Sequence, residues 1–410
     1  MTTEQPAIAS EEDEAHRLRN ALADQLREQG HITDDRVEAA VRTVRRDLFI
    51  PSVPLAGAYT NEVVYTKHDK AGAISAASQP SIVTMMLEQL RVEGGQNILE
   101  IGAGTGYNAA LLAHLTGSSG HVTTIDVDDD LVTDARAHLS DAGVRNVEVI
   151  LGDGALGHSE NAPYDRIIAT VATADLPPPW LEQISPTGRL VAPVRIAGSA
   201  TRSIAFELDG DRWLSVDSQL CGFMPLRASV AADPRRILKI TNDGSVTLHA
   251  YSEQDIELRA LAGILDTAAH EIWTDLGVAD DESVDPVWLW LACALPNSLS
   301  RMPVQPEAIE SELVKPMFRW GSMATVAGNS LAYLTARPAS NGCREIGVVG
   351  HGPDGLTLAE TTADQIIKWS KYRLQPIDFE FRPGGAQPEP RPGRYVITRP
   401  SGTLTVTWQT

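Results

Sequence analysis

An α/β fold built on a parallel sheet is predicted for residues 97–193, and three observations support this prediction. Short apolar or alternating segments recur there as candidate strands, at 97–101, 121–126, 147–151 and 164–170. A glycine-rich turn follows the first candidate strand, and an acidic residue lies at or just after the end of the second and third. Open α/β sheets bind their ligands at the carboxyl ends of the strands, so these positions predict a ligand site.

The glycine-rich turn is the most informative of these features. Residues 98–108 read Ile-Leu-Glu-Ile-Gly-Ala-Gly-Thr-Gly-Tyr-Asn, with an acid at Glu100 and then three alternating glycines, Gly102, Gly104 and Gly106. Glycines let a backbone turn tightly and come close to a ligand. The spacing differs from the dinucleotide pattern Gly-x-Gly-x-x-Gly. It favours S-adenosylmethionine, which has no pyrophosphate and places a sulfonium near the loop, over an ordinary loop without a ligand.

Two further acids extend the predicted site. Asp126 ends the second strand about 20 residues after the glycine loop, where a ribose-binding carboxylate belongs in such folds. Asp153 follows the third strand within Gly152-Asp153-Gly154 and is placed to accept a hydrogen bond from an exocyclic amine such as N6 of adenine. The alternative is that both acids cap helices or lie in solvated turns.

Composition limits the protein class. A chain of 410 residues is expected to form about two domains, and its 43% hydrophobic content is enough for sizeable cores. The three cysteines, Cys221, Cys293 and Cys343, lack the spacing of a metal site or a disulfide framework. We therefore expect a reducing, cytoplasmic location.

The termini and charge exclude other classes. The first residues lack the basic start and apolar core of a signal peptide, and no apolar run reaches the ~20 residues needed to cross a bilayer. We therefore expect no membrane partner. A net charge of −20 opposes nucleic acid as a partner, since phosphate binding needs a basic surface.

The remaining segments predict the domain organisation. Helices are expected over 11–29, over 33–44 and after Pro80, and a hairpin is expected from 202–208 and 212–218. Residues 55–79 are expected to be loop-like, with short extended pieces such as 62–66. A second, α+β region is expected to begin near residue 228. It contains a hairpin at 237–249, a helix at 255–276, an apolar helix or strand at 286–294 and a helix at 362–373, with strands at 331–336, 346–350, 377–381, 394–398 and 403–408. The domain prediction is N-terminal helices over 1–50, a ligand-binding domain over 51–227 and an accessory domain over 228–410.

Several short motifs carry a family resemblance. They are Val44-Arg45-Arg46-Asp47-Leu48-Phe49-Ile50-Pro51, Ala58-Tyr59, Ser78-Gln79-Pro80-Ser81-Ile82-Val83, Met86-Leu87-Glu88, the glycine loop, Gly152-Asp153-Gly154, residues 162–168 and Gly188-Arg189-Leu190-Val191. In this order and spacing, residues 40–193 resemble the protein L-isoaspartate O-methyltransferases. The resemblance implies a Rossmann-like, class I S-adenosylmethionine-dependent methyltransferase.

The resemblance also implies roles for individual residues. The cofactor would be bound by residues of the loop and of the next strand ends, namely Glu100, Gly102, Ala103, Gly104, Gly106, Asp126, Val127, Asp153 and Gly154. The substrate would be contacted by Tyr59, Ser75, Gln79 and Thr170. No metal ion is implied.

The catalytic hydroxyl of the family falls on one of two serines. The usual run before Gln-Pro is Gln-Thr-Ile-Ser, whereas residues 72–78 read Gly-Ala-Ile-Ser-Ala-Ala-Ser. Alignment from Gln79-Pro80 selects Ser78, and alignment from Ile-Ser selects Ser75. We prefer Ser78, because Gln-Pro is the firmer anchor. A turn or helix-cap role is the alternative for either serine.

The long C-terminal region is a second departure from the repair enzymes, which are little more than the catalytic domain. Its presence resembles methyltransferases from pathways for ribosomally synthesised, modified peptides, such as lanthipeptides and graspetides. Those enzymes methylate an aspartate in a cyclised precursor peptide, and the ester then collapses to an aspartimide or becomes isoaspartate. The resemblance therefore implies a modified precursor peptide as the partner.

The expected chemistry needs few catalytic groups. A carboxylate with a pKa near 4 is already anionic at neutral pH, so no general base is required. The protein must align the carboxylate oxygen with the methyl group and exclude water. One serine hydroxyl suffices to orient the carboxylate. Metal-ligand spacing is also absent from four of the histidines in or near this region, His68, His114, His121 and His158.

Three functions therefore compete. The first is methylation of an aspartate in a modified peptide, and the second is repair methylation of isoaspartyl residues in damaged proteins. The third, from another class, is a regulatory protein that binds the cofactor without catalysis. The intact loop with Asp126, Asp153 and Ser78 opposes the third function.

Overall fold

The computed structural model describes residues 11–69, 72–227, 235–279, 281–339, 342–385, 388–389 and 391–409. Residues 1–10, which include the start of the predicted N-terminal segment, lie outside the described residues, as do residues 228–234 at the predicted domain boundary. The chain divides into two units. The first comprises Met1–Ala172, Leu176–Pro193 and Ser203–Ala231, and the second comprises Thr173–Asp175, Val194–Arg202 and Ala232–Thr410.

The first unit alternates helices with strands. Its elements are α1 (Glu11–Glu28), α2 (Asp35–Thr43), α3 (Leu55–Ala58), β1 (Val64–Asp69), β2 (Gly72–Ala77), α4 (Pro80–Leu90), β3 (Asn97–Ile101), α5 (Tyr107–Thr116), β4 (His121–Asp126), α6 (Asp129–Asp141), β5 (Val147–Leu151), β6 (Tyr164–Ala169), α7 (Pro178–Gln183), β7 (Ile184–Ala197), β8 (Ala200–Asp209) and β9 (Arg212–Leu220). The residues of the β7–β8 turn, Val194–Arg202, group with the second unit.

One sheet organises the first unit, in the strand order β9-β8-β7-β6-β3-β4-β5. Strand β3 pairs in parallel with both β4 and β6, and β4 pairs in parallel with β5. The carboxyl ends of these four strands therefore meet at one edge. This arrangement confirms the predicted parallel α/β sheet and brings together the segments that carry the glycine loop, Asp126, Asp153 and Thr170.

The predicted helices of this unit have clear local causes. Asp34 caps α2 by accepting a hydrogen bond from the Arg36 amide at 2.7 Å. Pro80 begins α4, where a proline costs no backbone hydrogen bond. Helix α1 buries one apolar face through Ala15, Leu22 and Leu26.

Residues 55–79 are more regular than predicted. They form the short helix α3 and an antiparallel hairpin of β1 and β2, in which Val64 lies opposite Ala77 and Asp69 opposite Gly72. Strand β1 is half-buried or exposed along its whole length. It therefore lacks the alternating apolar pattern that identifies a strand, and its pairing with β2 defines it instead.

The second unit is α+β, as predicted. Its elements are β10 (Arg236–Lys239), β11 (Thr247–Ala250), α8 (Leu258–Leu261), β12 (His270–Ala279), α9 (Asp285–Ala294), β13 (Ser300–Pro303), α10 (Pro306–Glu310), β14 (Gly321–Ala327), β15 (Ser330–Pro338), β16 (Cys343–His351), α11 (Gly355–Trp369), β17 (Ile377–Pro383), β18 (Arg394–Arg399) and β19 (Gly402–Trp408). An antiparallel sheet in the order β12-β16-β15-β14-β13 forms its larger layer.

The predicted helix over 255–276 is wrong. Only the one-turn helix α8 and a 3-10 turn at Ile264–Asp266 occur there, and the rest is strand β12. Gly263 has a φ of +69°, which interrupts a helix, and β12 pairs with β16 over residues 270–273 and 277–279. Sheet pairing thus overrides the apparent helical pattern. The undecided segment at 286–294 is helix α9, and the later helix is α11, which begins at Gly355.

No helix of the described residues combines the length and the apolar character needed to span a bilayer.

Candidate active site

The glycine loop is held between two neighbouring strands. The amides of Gly102 and Ala103 both donate to the carbonyl of Ile125 on β4, at 2.8 and 3.0 Å. On the other side, the Thr170 hydroxyl donates to the carbonyl of Gly102 at 2.7 Å. The loop is therefore anchored from both β4 and the end of β6.

The three glycines differ in their surroundings. All have positive φ values, +99° at Gly102, +52° at Gly104 and +88° at Gly106. A Cβ on Gly102 would lie 2.7 Å from Oγ1 of Thr170, and one on Gly106 would lie 3.4 Å from the Ala135 carbonyl. At Gly104 the nearest atom is the carbonyl oxygen of Ala76, at 3.8 Å. Gly104 is therefore the least crowded of the three positions.

Asp126 lies against this open position. Its Oδ2 accepts a hydrogen bond from the Gly104 amide at 2.9 Å, and its Oδ1 accepts one from the Asp128 amide at 3.2 Å. The side chain is buried, and the next residue, Val127, is half-buried. A carboxylate has about four acceptor positions, so Asp126 supports the loop and keeps acceptor capacity for hydroxyl groups of a ligand.

Glu100 lies inside the fold. The residue is fully buried, and its two oxygens accept hydrogen bonds from Nδ2 of Asn108 at 2.7 Å and Oγ1 of Thr124 at 2.6 Å. Burial raises the pKa of Glu100 to about 7, and the charge of Asp126 adds to the rise. Both oxygens are thus engaged, so this geometry favours internal support of the loop over direct contact with a ligand.

Asp153 and Gly154 follow β5. Oδ1 of Asp153 accepts a hydrogen bond from the Ala155 amide at 3.0 Å and so caps the 3-10 turn Gly154–Leu156. The other carboxylate oxygen has no hydrogen-bond partner among the described residues. A Cβ on Gly154 would lie 2.5 Å from Cγ2 of Ile101, so this glycine permits close packing of the turn against the end of β3. Asp153 therefore caps the turn and retains one free acceptor.

The two candidate serines have different environments. Ser75 is buried, and its hydroxyl accepts a hydrogen bond from Oγ1 of Thr66 at 3.0 Å. Ser78 is half-buried, and its hydroxyl makes no hydrogen bond within the described part of the chain. The carbonyl oxygen of Ala76 lies 3.8 Å from the position that a Cβ on Gly104 would take, so the segment that carries Ser78 lies beside the glycine loop. The geometry thus favours Ser78 as the available hydroxyl.

The predicted substrate residues differ in their burial and in their hydrogen-bond partners. Gln79 follows Ser78 and is half-buried, without a side-chain capping bond to α4. Tyr59 is buried, and its hydroxyl donates to Asp47, which together with burial raises the pKa of Tyr59. The Thr170 hydroxyl donates to the glycine loop. The hydroxyls of Tyr59, Ser75 and Thr170 thus already have partners within the fold. The hydroxyl of Ser78 has none among the described residues.

Arg46 is a residue whose role the sequence did not reveal. Its side chain is fully buried, with NH1 donating to the Ser78 carbonyl at 3.0 Å and NH2 donating towards the Ala77 carbonyl at 3.4 Å. The guanidinium lies 5.2 Å from the ring centre of Tyr107, the first residue of α5. The sequence signals are its place in the motif at residues 44–51 and the apolar run Leu48-Phe49-Ile50 that follows it.

Within the described ranges, no group of three or more His, Cys, Asp or Glu side chains is arranged to hold a metal ion.

The sheet order and the loop at the end of β3 define a Rossmann-like, class I methyltransferase that uses S-adenosylmethionine. Residues 16–229 match the family model of protein-L-isoaspartate(D-aspartate) O-methyltransferase. The chain belongs to this family, and it is a carboxyl methyltransferase.

Named relatives agree with this assignment. The chain is 40% identical to protein-L-isoaspartate O-methyltransferase 2 of Archaeoglobus fulgidus over 43% of this chain and 78% of the relative. It is 42% identical to the protein-L-isoaspartate O-methyltransferase of Methanothrix thermoacetophila over 39% of this chain and 74% of the relative. A solved structure named protein-L-isoaspartate O-methyltransferase aligns with 88% of this chain and 96% of its own, with a TM-score of 0.49 and 20% identity.

Proposed function

We propose that this protein transfers a methyl group from S-adenosylmethionine to the carboxylate of isoaspartyl residues in damaged proteins, the repair reaction for which its relatives are named. The observation that carries this proposal is the position of the Ser78 segment. The open glycine of the loop, Gly104, has the Ala76 carbonyl as its nearest neighbour, and Ser78 follows two residues later with an unengaged hydroxyl.

The strand ends fit the cofactor. Gly104 leaves room for the methionine part, and Asp126 beside it offers acceptors for the ribose hydroxyls. The free oxygen of Asp153 offers an acceptor for the adenine amine. Ala103, Val127 and Gly154 complete the surface as the backbone neighbours of these groups. When bound, S-adenosylmethionine supplies an electrophilic methyl group.

The chain's own residues then have a limited task. An isoaspartyl carboxylate is anionic at neutral pH, so no side chain has to remove a proton from it. The Ser78 hydroxyl donates to one carboxylate oxygen and leaves the other directed at the methyl group. Exclusion of water from the site would strengthen the attack, because water solvates the carboxylate.

The competing substrate is an aspartate in a modified precursor peptide. That hypothesis depends on the long region after residue 228 and on the altered run Ser75–Ser78. The family model and the relatives reported above carry the isoaspartate name, so they favour repair.

Matched peptides test the proposal. The full chain is incubated with S-adenosylmethionine and four peptides of one sequence, carrying isoaspartate or aspartate in linear or cyclised form, and methylation is followed by mass spectrometry. Repair predicts methylation of both isoaspartyl peptides and little of either aspartyl peptide. Methylation of the cyclised aspartyl peptide alone would indicate that the protein modifies a precursor peptide and does not repair damaged proteins. Tight cofactor binding without methylation of any peptide would support a binding protein.

A further inference from the structure

Arg46 is a buried cation without an anionic partner. Its side chain is fully buried, and among the described residues no carboxylate forms an ion pair with it. The adjacent Arg45 differs, since it pairs with Asp47 at 2.6 Å and with Glu12 at 2.9 Å. The sequence thus places two neighbouring arginines in opposite electrostatic environments.

The donors of Arg46 are only partly used. NH1 and NH2 hold the carbonyls of Ser78 and Ala77, whereas Nε is buried with no hydrogen-bond partner in the described part of the chain. On its other side the guanidinium contacts the Tyr107 ring, directly after the glycine loop. Arg46 therefore bridges the backbone of the Ser78 segment and the beginning of α5.

An unpaired buried charge is costly. Removing a guanidinium from water is unfavourable unless hydrogen bonds and an opposite charge compensate, and burial accordingly lowers the pKa of Arg46. Two carbonyl acceptors give partial compensation. A neutral donor would hold two carbonyls at lower cost, so the charge itself calls for a physical explanation.

We propose that Arg46 is a positioning residue for the carboxylate substrate, holding the Ser78 backbone in place while its buried charge favours an anion beside the glycine loop. This inference rests on the proposed function, because that function brings an isoaspartyl carboxylate to the Ser78 segment as a partner for the charge. Arg46 acts through the Ser78 segment and through the electrostatic potential of the site. The interaction is strong because a buried charge is screened far less than one in water.

The test compares variants of Arg46 that differ in charge and retain much of the side-chain volume. Arg46→Met removes the charge and retains much of the side-chain volume, Arg46→Lys retains the charge and loses the planar fork, and Arg45→Met is the control at the paired arginine. Calorimetry measures binding to the complex with S-adenosylhomocysteine, which lacks the sulfonium charge. The ligands are a linear isoaspartyl peptide and the same peptide with a carboxamide in place of the isoaspartyl carboxylate.

The wild type should prefer the carboxylate peptide. Arg46→Met should reduce this preference by about 10-fold or more, whereas Arg46→Lys should stay within about threefold of the wild type. Affinity for S-adenosylhomocysteine should stay within about twofold in all variants, and Arg45→Met should keep the full preference. Loss of the Ser78 backbone contacts should also lower kcat in Arg46→Met.

Several outcomes would overturn the inference. Equal loss of the preference in Arg46→Lys and Arg46→Met would mean that the planar fork alone matters. A folded Arg46→Met with unchanged preference would remove the charge from recognition. If Arg46→Met fails to fold, the wild type still decides, since equal affinity for the two peptides would exclude a charge that recognises the carboxylate. Failure of the proposed function is separate, because the wild type would then methylate no isoaspartyl peptide.

Discussion

The two sides of the candidate site are specified in different ways. On one side, the glycine loop is continuous in sequence, and backbone hydrogen bonds tie it to the end of the adjacent strand β4. On the other side, the Ser78 segment is held by Arg46, a side chain 32 residues earlier in the chain. The cofactor-binding side thus depends on one strand and the turn that follows it. The side that carries Ser78 depends on a buried contact between distant segments of the chain. Substitutions on the two sides should therefore affect different measurements.

The largest effect should come from Gly104→Val. At a φ of +52° a β-branched residue is strained by about 1–2 kcal/mol, yet no atom lies closer than 3.8 Å to the new Cβ. The fold should survive, while the side chain fills the ligand space and weakens cofactor affinity by about 100-fold or more. Calorimetry with S-adenosylhomocysteine measures the affinity. Gly102→Val is the control, because its Cβ would clash with Thr170 and the substitution should destabilise the protein more. Normal cofactor binding by Gly104→Val would contradict the assignment of the loop to the cofactor.

The next largest loss of cofactor affinity should come from Asp126→Ala. The substitution removes the proposed acceptor for the ribose and the 2.9 Å hydrogen bond that orients Gly104. A hydrogen bond to a charged group contributes about 1.5–3 kcal/mol, so cofactor affinity should fall by roughly 10- to 150-fold. Asp126→Asn keeps one acceptor oxygen and should lose less. Unchanged affinity in a folded Asp126→Ala protein would exclude the ribose role.

Glu100 should make stability depend on pH. Its pKa is raised from 4.5 to about 7 in the folded protein, so folding favours the protonated form. This contribution is complete below the ordinary pKa of 4.5 and is lost as pH rises through about 7. Between about pH 5 and pH 8, the wild type should lose on the order of 1–3 kcal/mol relative to Glu100→Gln.

Urea unfolding across this pH range checks the Glu100 prediction. Glu182→Gln, at an exposed position of α7, should keep the pH dependence of the wild type. The same slope in Glu100→Gln and in the wild type would show that Glu100 does not titrate in this range.

The smallest effect is expected at Ser78. Ser78→Ala should lower the rate of methyl transfer by about 10-fold, because one hydrogen bond to the carboxylate is lost. Affinity for S-adenosylhomocysteine should remain normal, since the hydroxyl is assigned to the substrate. Ser75→Ala is the matched control and should affect mainly the Thr66 contact within the hairpin. A larger rate defect in Ser75→Ala would reverse the choice between the two serines.

Local patterns were sufficient for much of the first unit. The strands β3 to β6, the cap at Asp34 and the proline that begins α4 all follow from residue type and spacing. The second unit was less predictable. Residues 270–276 were assigned to a helix, but β12 forms there because β16 supplies its hydrogen-bond partners. A helix satisfies its own backbone, whereas a strand depends on a distant segment that sequence periodicity does not identify.

For the site, the sequence by itself determined the glycine loop and the acids at the strand ends, because these depend on φ values and strand boundaries encoded by neighbouring residues. The sequence favoured Ser78 over Ser75 through the Gln79-Pro80 anchor, but only the tertiary structure showed that the Thr66 hydroxyl engages Ser75. Only the tertiary structure also showed the unpaired charge of Arg46 against the Ser78 backbone. Burial and hydrogen-bond partners are set by segments far apart in the chain, so residue type alone did not reveal which polar groups remain available.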